Sequence, residues 1–201
     1  MRLRRCGDDA VLVEVDSLGE VEAVRAAVAA ANLPNLVELV PAARTVLVAA
    51  GPGTVSEVRR VLAGADLTHQ PEAVGDEVVI GVRYDGPDLD LVAETAGLTT
   101  AEVVDLHTGA DYRVAFCGFA PGFAYLTGLP EPLRQPRLDS PRTKVPAGSV
   151  GVAGEFTAAY PRATPGGWRL IGRTDAPLFD PRRPTPALLT PGDRVRFEAV
   201  R

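Results

Sequence analysis

With 201 residues, 46% of them apolar, the chain can bury one large core or two small ones and is too apolar for wholesale disorder. Its net charge of −5 hides an asymmetry: residues 1–133 carry nine arginines against twenty acids, a net of −11, while residues 134–201 carry eleven arginines and one lysine against six acids, a net of +6. That basic third lacks the dense stripes of a nucleic-acid binder; it suits a small anionic ligand or an acidic partner surface, or is simply a solvated, arginine-rich face.

The chain opens with LRRCGDDAVLVEV, two short strands about a Gly-Asp-Asp turn, and its early acids are unlike a secretory leader. Residues 19–31 place Val21, Val24, Val28 and Ala31 on one helical face, in a run too short and too charged to span a bilayer. LVELVP and RTVLVAA read as strands joined by a turn over Pro41–Arg44, and residues 51–64 as a second helix, with Thr54 or Ser56 near its start and Gly64 past its end. Strands, helix, strands, helix, strand is the split βαβ order of a ferredoxin-like domain, expected over residues 1–70. Periodicity then lapses over residues 65–76, which hold His69, and a second domain is expected over 77–201.

That second part starts with a strand in EVVIGVRYDG. A short helix follows, capped by Asp88 and stopped by Gly97, and then another, capped by Thr99 or Thr100 with Glu102 in its first turn. A strand at DYRVAFC and a last one after the Pro-Gly-Asp turn near the end frame a barrel or sandwich carrying two small helices. Cys6 and Cys117 lie apart, without a CxxC or a histidine at ligand spacing, so no metal site is expected and the thiols suit a reducing cytoplasm.

From Gly118 to Asp180 the chain is dense in glycine, proline, aromatic rings and arginine, and it holds the only tryptophan and the only lysine. Few of these residues follow a regular period, and long ordered loops usually carry function. Glycines 118, 122, 128, 148, 151, 154, 166 and 167 permit close backbone approach. Val145–Gly151, with Ser149 inside it and Arg142 and Lys144 beside it, reads either as a structural turn or as an amide cradle for an anion. Phe119, Phe123, Tyr125, Tyr160, Trp168 and Phe179 supply core or ligand-facing rings, Trp168 following a Pro-Gly-Gly turn. His107, at a helix end, is either a satisfied structural histidine or a general base.

GFAPGFAYLTGL, PR…SPR…VPAGSVGVAG, YP…TPGGWRLIGRT and LFDP together closely resemble the signature of the 5-oxoprolinase B-subunit family, also called allophanate hydrolase subunit 1 or the KipI family. The resemblance runs along the whole chain. It implies an α+β protein with a small ferredoxin-like α/β N-terminal domain and a cyclophilin-like β-barrel C-terminal domain. It implies two partners, a KipA-like C-subunit and an A-subunit, in an ATP-dependent enzyme that opens 5-oxoproline to glutamate, ATP acting with Mg²⁺ at the level of the complex. Carried residue by residue, it points to His107 and Arg142 as catalytic. It also points to Phe119, Pro121, Phe123, Tyr125, Pro146, Gly148, Ser149, Gly151, Tyr160, Gly166, Gly167 and Trp168 as substrate-binding. Phe156 stands where members commonly have glutamine. Two other roles share these motifs: inhibition of a sensor histidine kinase, and one half of a urea or amide carboxyltransferase.

Overall fold

The computed structural model describes residues 1–33, 35–51, 53–67 and 75–201; residues 68–74 of the expected linker, His69 among them, lie outside these. The chain divides into two compact units, Met1–Ala73 and Val74–Arg201.

In the first unit β1 (Arg2–Cys6) and β2 (Ala10–Glu14) form a hairpin turning at Gly7, where φ is +68°. Helix α1 (Leu18–Ala30) starts at Ser17, whose hydroxyl accepts the Glu20 amide. Strands β3 (Leu36–Pro41) and β4 (Thr45–Ala50) and helix α2 (Thr54–Ala63) follow. The sheet order is β1-β2-β4-β3 with every neighbour antiparallel, so β2 and β3 run parallel with β4 between them. That is a split βαβ unit around α1. Alternation sends Val11, Val13, Val46 and Val48 to one face, where they pack with Val21, Val24 and Val28 of α1 and Val58 and Leu62 of α2.

Two details depart from expectation. Among the described residues no strand of this sheet follows α2; β1 fills the place beside β2, because a short turn lets the two pair at once. Helix α2 is led by Gly53, and the Thr54 hydroxyl donates back to the Gly51 carbonyl instead of capping forward.

The second unit runs β5 (Glu77–Val82), α3 (Leu89–Ala96), α4 (Thr100–Thr108), β6 (Tyr112–Cys117), β7 (Ala124–Thr127), β8 (Arg142–Val145), β9 (Ser149–Ala153), β10 (Phe156–Ala159), β11 (Thr164–Gly166), β12 (Arg169–Arg173) and β13 (Arg194–Ala199). Seven strands form one sheet in the order β12-β9-β10-β7-β6-β13-β5, with only β13 and β5 parallel; β8 and β11 pair separately. Just past β5, Arg83 exchanges backbone bonds of 2.8 and 2.9 Å with Arg173 of β12, so the two sheet edges meet and the barrel is nearly closed. The seam needs a glycine: a Cβ on Gly172 would lie 2.6 Å from the Arg83 carbonyl oxygen. Ile80, Val114, Leu126, Val150, Val152, Ile171, Val195 and Phe197 fill the core, joined by Val92 of α3 and Val103 of α4.

Helix α4 opens with a reciprocal Thr99–Glu102 capping box, and α3 stops at Gly97 with φ +68°. Asp88 precedes α3 but makes no side-chain cap. The stretch Gly118–Asp180 holds β7 through β12, so short strands, four of them in the barrel sheet, run through what reads as a long loop. Its strand β9 carries no alternation because both faces are covered: all five residues are buried, Val150 and Val152 in the barrel core and Ala153 in a second, aromatic cluster. Among the described residues no helix is long and apolar enough to cross a membrane.

Candidate functional site

Strands β6 and β7 are joined by Gly118–Phe123, a turn tied by the Gly118 amide donating to the Phe123 carbonyl (3.1 Å) and the Phe123 amide to the Ala120 carbonyl (2.9 Å). Within it, Phe119 adopts φ +66° while 57% exposed. A bulky residue held there is strained, and such strain collects at functional positions. Its ring meets Phe123 and Tyr160 edge-on, at centroid distances of 5.2 and 6.3 Å. Buried Phe123 is the hub, touching Tyr125 at 5.0 Å, Tyr160 at 5.2 Å and Trp168 at 5.6 Å. Tyr125 stacks on Phe116 at 4.4 Å and meets Phe156 edge-on at 5.7 Å, so the residue in glutamine's place extends the aromatic wall.

Five expected ligand-facing rings therefore converge. Burial pushes the Tyr160 phenol up to about 12, opposed first by the Arg137 guanidinium. The Tyr125 phenol is likewise raised by burial and drawn back by Arg137. Gly166 is glycine because the Tyr160 hydroxyl packs against it: a Cβ would lie 2.7 Å from that oxygen. The Gly167 carbonyl accepts the Leu138 amide at 2.7 Å, while Pro121 and Pro146 are exposed.

Arg142, on β8, is anchored by Asp88. One Asp88 oxygen accepts from Arg142 Nη2 at 2.7 Å and the other from the Leu170 amide at 2.7 Å. This is what Asp88 does in place of capping α3. The other terminal nitrogen, Arg142 Nη1, is buried without a hydrogen-bond partner, as is the Thr164 hydroxyl on β11.

The expected anion cradle at Val145–Gly151 is a structural turn. Gly148 donates its amide to the Tyr160 carbonyl at 2.7 Å, and Ser149 donates its own to the Pro146 carbonyl at 3.3 Å. Gly148 has φ +79°, and a Cβ there would strike the Thr174 carbonyl oxygen. Gly151 lies within β9, paired on both sides. Amides engaged in this way cannot turn to a ligand.

His107 is no general base: it is completely buried, with both ring nitrogens engaged. Thr157 uses its single proton on the Gly151 carbonyl (3.1 Å), so His107 Nε2 carries a proton and donates to Thr157 Oγ1 (3.0 Å), and the Tyr84 hydroxyl donates to Nδ1 (2.7 Å). Burial lowers this imidazole to about 3, so it stays neutral and cut off from solvent. Sequence reasoning missed Asp88 as an anchor, along with Arg137 and Thr164. Only the PR repeats around β8 signal them, and nothing in their spacing marks which arginine faces the rings.

A two-unit α/β protein whose larger unit is a nearly closed barrel, with aromatic rings and a half-free guanidinium gathered outside its core, is the frame into which known relatives fall. Residues 1–189 match the family described as carboxyltransferase domain, subdomain C and D. The chain is 41% identical over 210 residues to the 5-oxoprolinase B-subunit of Escherichia coli O157:H7, covering 98% of this chain and 96% of that protein. Among solved structures it matches TTHA0988 with a TM-score of 0.81 at 36% identity, covering 96% of this chain but only 40% of that one. It also matches the Pyrococcus horikoshii protein PH0987, with a TM-score of 0.61 at 37% identity, covering 99% of this chain and 97% of that one. The chain belongs to the carboxyltransferase subdomain C and D family and, within it, to the 5-oxoprolinase B-subunit family.

Proposed function

We propose that this chain is the B-subunit of an ATP-dependent 5-oxoprolinase, working in a complex with an A-subunit and a KipA-like C-subunit. Family membership at 41% identity over nearly the full length supports the assignment. The observation that carries the site is the convergence of Phe119, Phe123, Tyr125, Tyr160 and Trp168 in the unit that also holds a guanidinium with one terminal nitrogen unpartnered. In this reading Met1–Ala73 is a ferredoxin-like unit with β1 in the edge place, and Val74–Arg201 a cyclophilin-like barrel.

Opening a lactam adds water to the carbonyl carbon, breaks the C–N bond and sends the ring nitrogen off with a proton, a reaction that is uphill without activation. The glycine-rich turn has no amide free for phosphate at Gly148 or Ser149, so it does not fit a nucleotide's phosphates, and we place the ATP-dependent step on the partner proteins. This chain's share is to bind and orient an anionic substrate, with Arg142 opposite its charge and the rings excluding water.

Reconstitution with both partners, followed by 5-oxoproline-dependent ATP hydrolysis, tests this. Turnover is expected to require this chain. Arg142→Ala is expected to lower kcat/KM on the order of 10–100-fold, the worth of a hydrogen bond to a charged group. No turnover from the three folded proteins together would overturn the assignment.

A further inference from the structure

Side-chain polar atoms cut off from both water and protein partners are rare, and each calls for a reason. Among the described residues such atoms include Arg142 Nη1, Thr164 Oγ1 and Arg169 Nε. Arg169 is otherwise tied to Thr95 and Gln135. The first two share one small ladder: on β8 and β11, Thr164 pairs with Val145 and Gly166 with Arg142. Thr164 is only 8% exposed, so its hydroxyl is a buried donor on a residue with almost no solvent contact.

The Tyr160 hydroxyl, a further polar group that carries a proton, packs against Gly166 in the same ladder. Each of these groups can thus offer a proton. The carboxylate already present, Asp88, has one oxygen on the Leu170 amide and the other on Arg142 Nη2, and so holds a single prong of the guanidinium fork. A guanidinium meets a planar two-oxygen acceptor with two parallel bonds, and here the second prong has no protein acceptor.

We propose that Arg142 and Thr164 form a carboxylate-binding subsite on the β8–β11 ladder. The identity of its ligand, a small-ring carboxylate of the 5-oxoproline type, rests on the 5-oxoprolinase reading. Arg142 meets the carboxylate, the Thr164 hydroxyl donates to it, and Asp88 is a positioning residue that fixes the guanidinium from behind. Phe123, Tyr160 and Trp168, packed edge-on against one another, supply the apolar surroundings for the ring. A carboxamide in the same place would bring N–H donors to a site built of donors and would lack the charge Arg142 requires.

Trp168, the only tryptophan, lies in this cluster and reports on it directly. The full chain would be titrated with 5-oxoproline, its carboxamide and 2-pyrrolidinone while Trp168 emission is followed. Saturable change with the carboxylate is expected, with the two neutral compounds at least about tenfold weaker. Thr164→Val, close in shape and compatible with the strand, should raise the half-saturation concentration by about tenfold, and Arg142→Gln should abolish the response. Lys144→Ala, which removes an exposed charge from the same strand, should change nothing. A carboxamide that binds as well as the acid, a Thr164→Val chain that binds like the parent, or no saturable response at all overturns the subsite. The reconstituted complex separates the two proposals. Turnover with KM unchanged in Thr164→Val removes the subsite and leaves the function, whereas carboxylate binding without turnover does the reverse.

Discussion

His107 links Tyr84, just past β5, to Thr157 of β10 through one ring, and the direction of each bond follows from a single fact. Thr157 has one proton and gives it to Gly151. The imidazole titrates near 6.5 when unfolded and at about 3 when folded, so between those values the unfolded chain binds the extra proton. Its contribution is present in full above 6.5 and drains as pH falls toward 3, by up to about 1.4 kcal/mol per pH unit. Urea unfolding between pH 7 and 4 should show stability falling more steeply in the parent than in His107→Gln; equal slopes would refute the burial of a neutral ring. Its helix-end position is readable from the chain, but its partners lie 23 and 50 residues away, one just past a strand and one within a strand, in a register no local pattern reveals. Asp88 shows the same limit. Its place before an amphipathic helix is that of a cap, yet a carboxylate within reach of a guanidinium and a strand amide takes those partners instead.

At the scale of strands and turns, short-range signals carry well and covered faces do not. The β1–β2 hairpin, the Thr99–Glu102 box and the Gly97 stop follow from neighbours within four residues, and all were legible. The six strands between Gly118 and Asp180 were not, since each is only three to five residues long, and β9, buried throughout, leaves no alternation to read. Glycines in this barrel divide by what surrounds them, and that division makes a prediction. Gly172→Ala pushes a methyl into the Arg83 carbonyl at the seam, so it should cost about 2 kcal/mol or more and loosen the joined edges. Gly154, at φ +56° with open space around it, should cost only about 1–2 kcal/mol as alanine, a backbone term alone. Urea melts rank the two, and hydrogen exchange at the Arg83 and Arg173 amides should quicken in Gly172→Ala only. Equal melts and exchange would mean that the seam tolerates the methyl.

Across the whole molecule the two units differ in substance. Every phenylalanine, tyrosine and tryptophan lies beyond residue 83, and the first unit's core is nine valines and one leucine. Far-ultraviolet circular dichroism sees both units, whereas Trp168 fluorescence sees the second. The two cores share no residue, so Val48→Ala should lower the dichroism transition by roughly 2 kcal/mol and leave the fluorescence transition in place; a common shift would show that the units melt as one. Phe119 bears on the molecule in another way. At φ +66° a glycine or asparagine would sit more easily, so the fold carries this ring at a cost of about 1–3 kcal/mol. Phe119→Gly should therefore yield a chain that melts at a higher temperature and works less well. A screen for thermal resistance alone would discard this residue first, and a screen for turnover would bring it back.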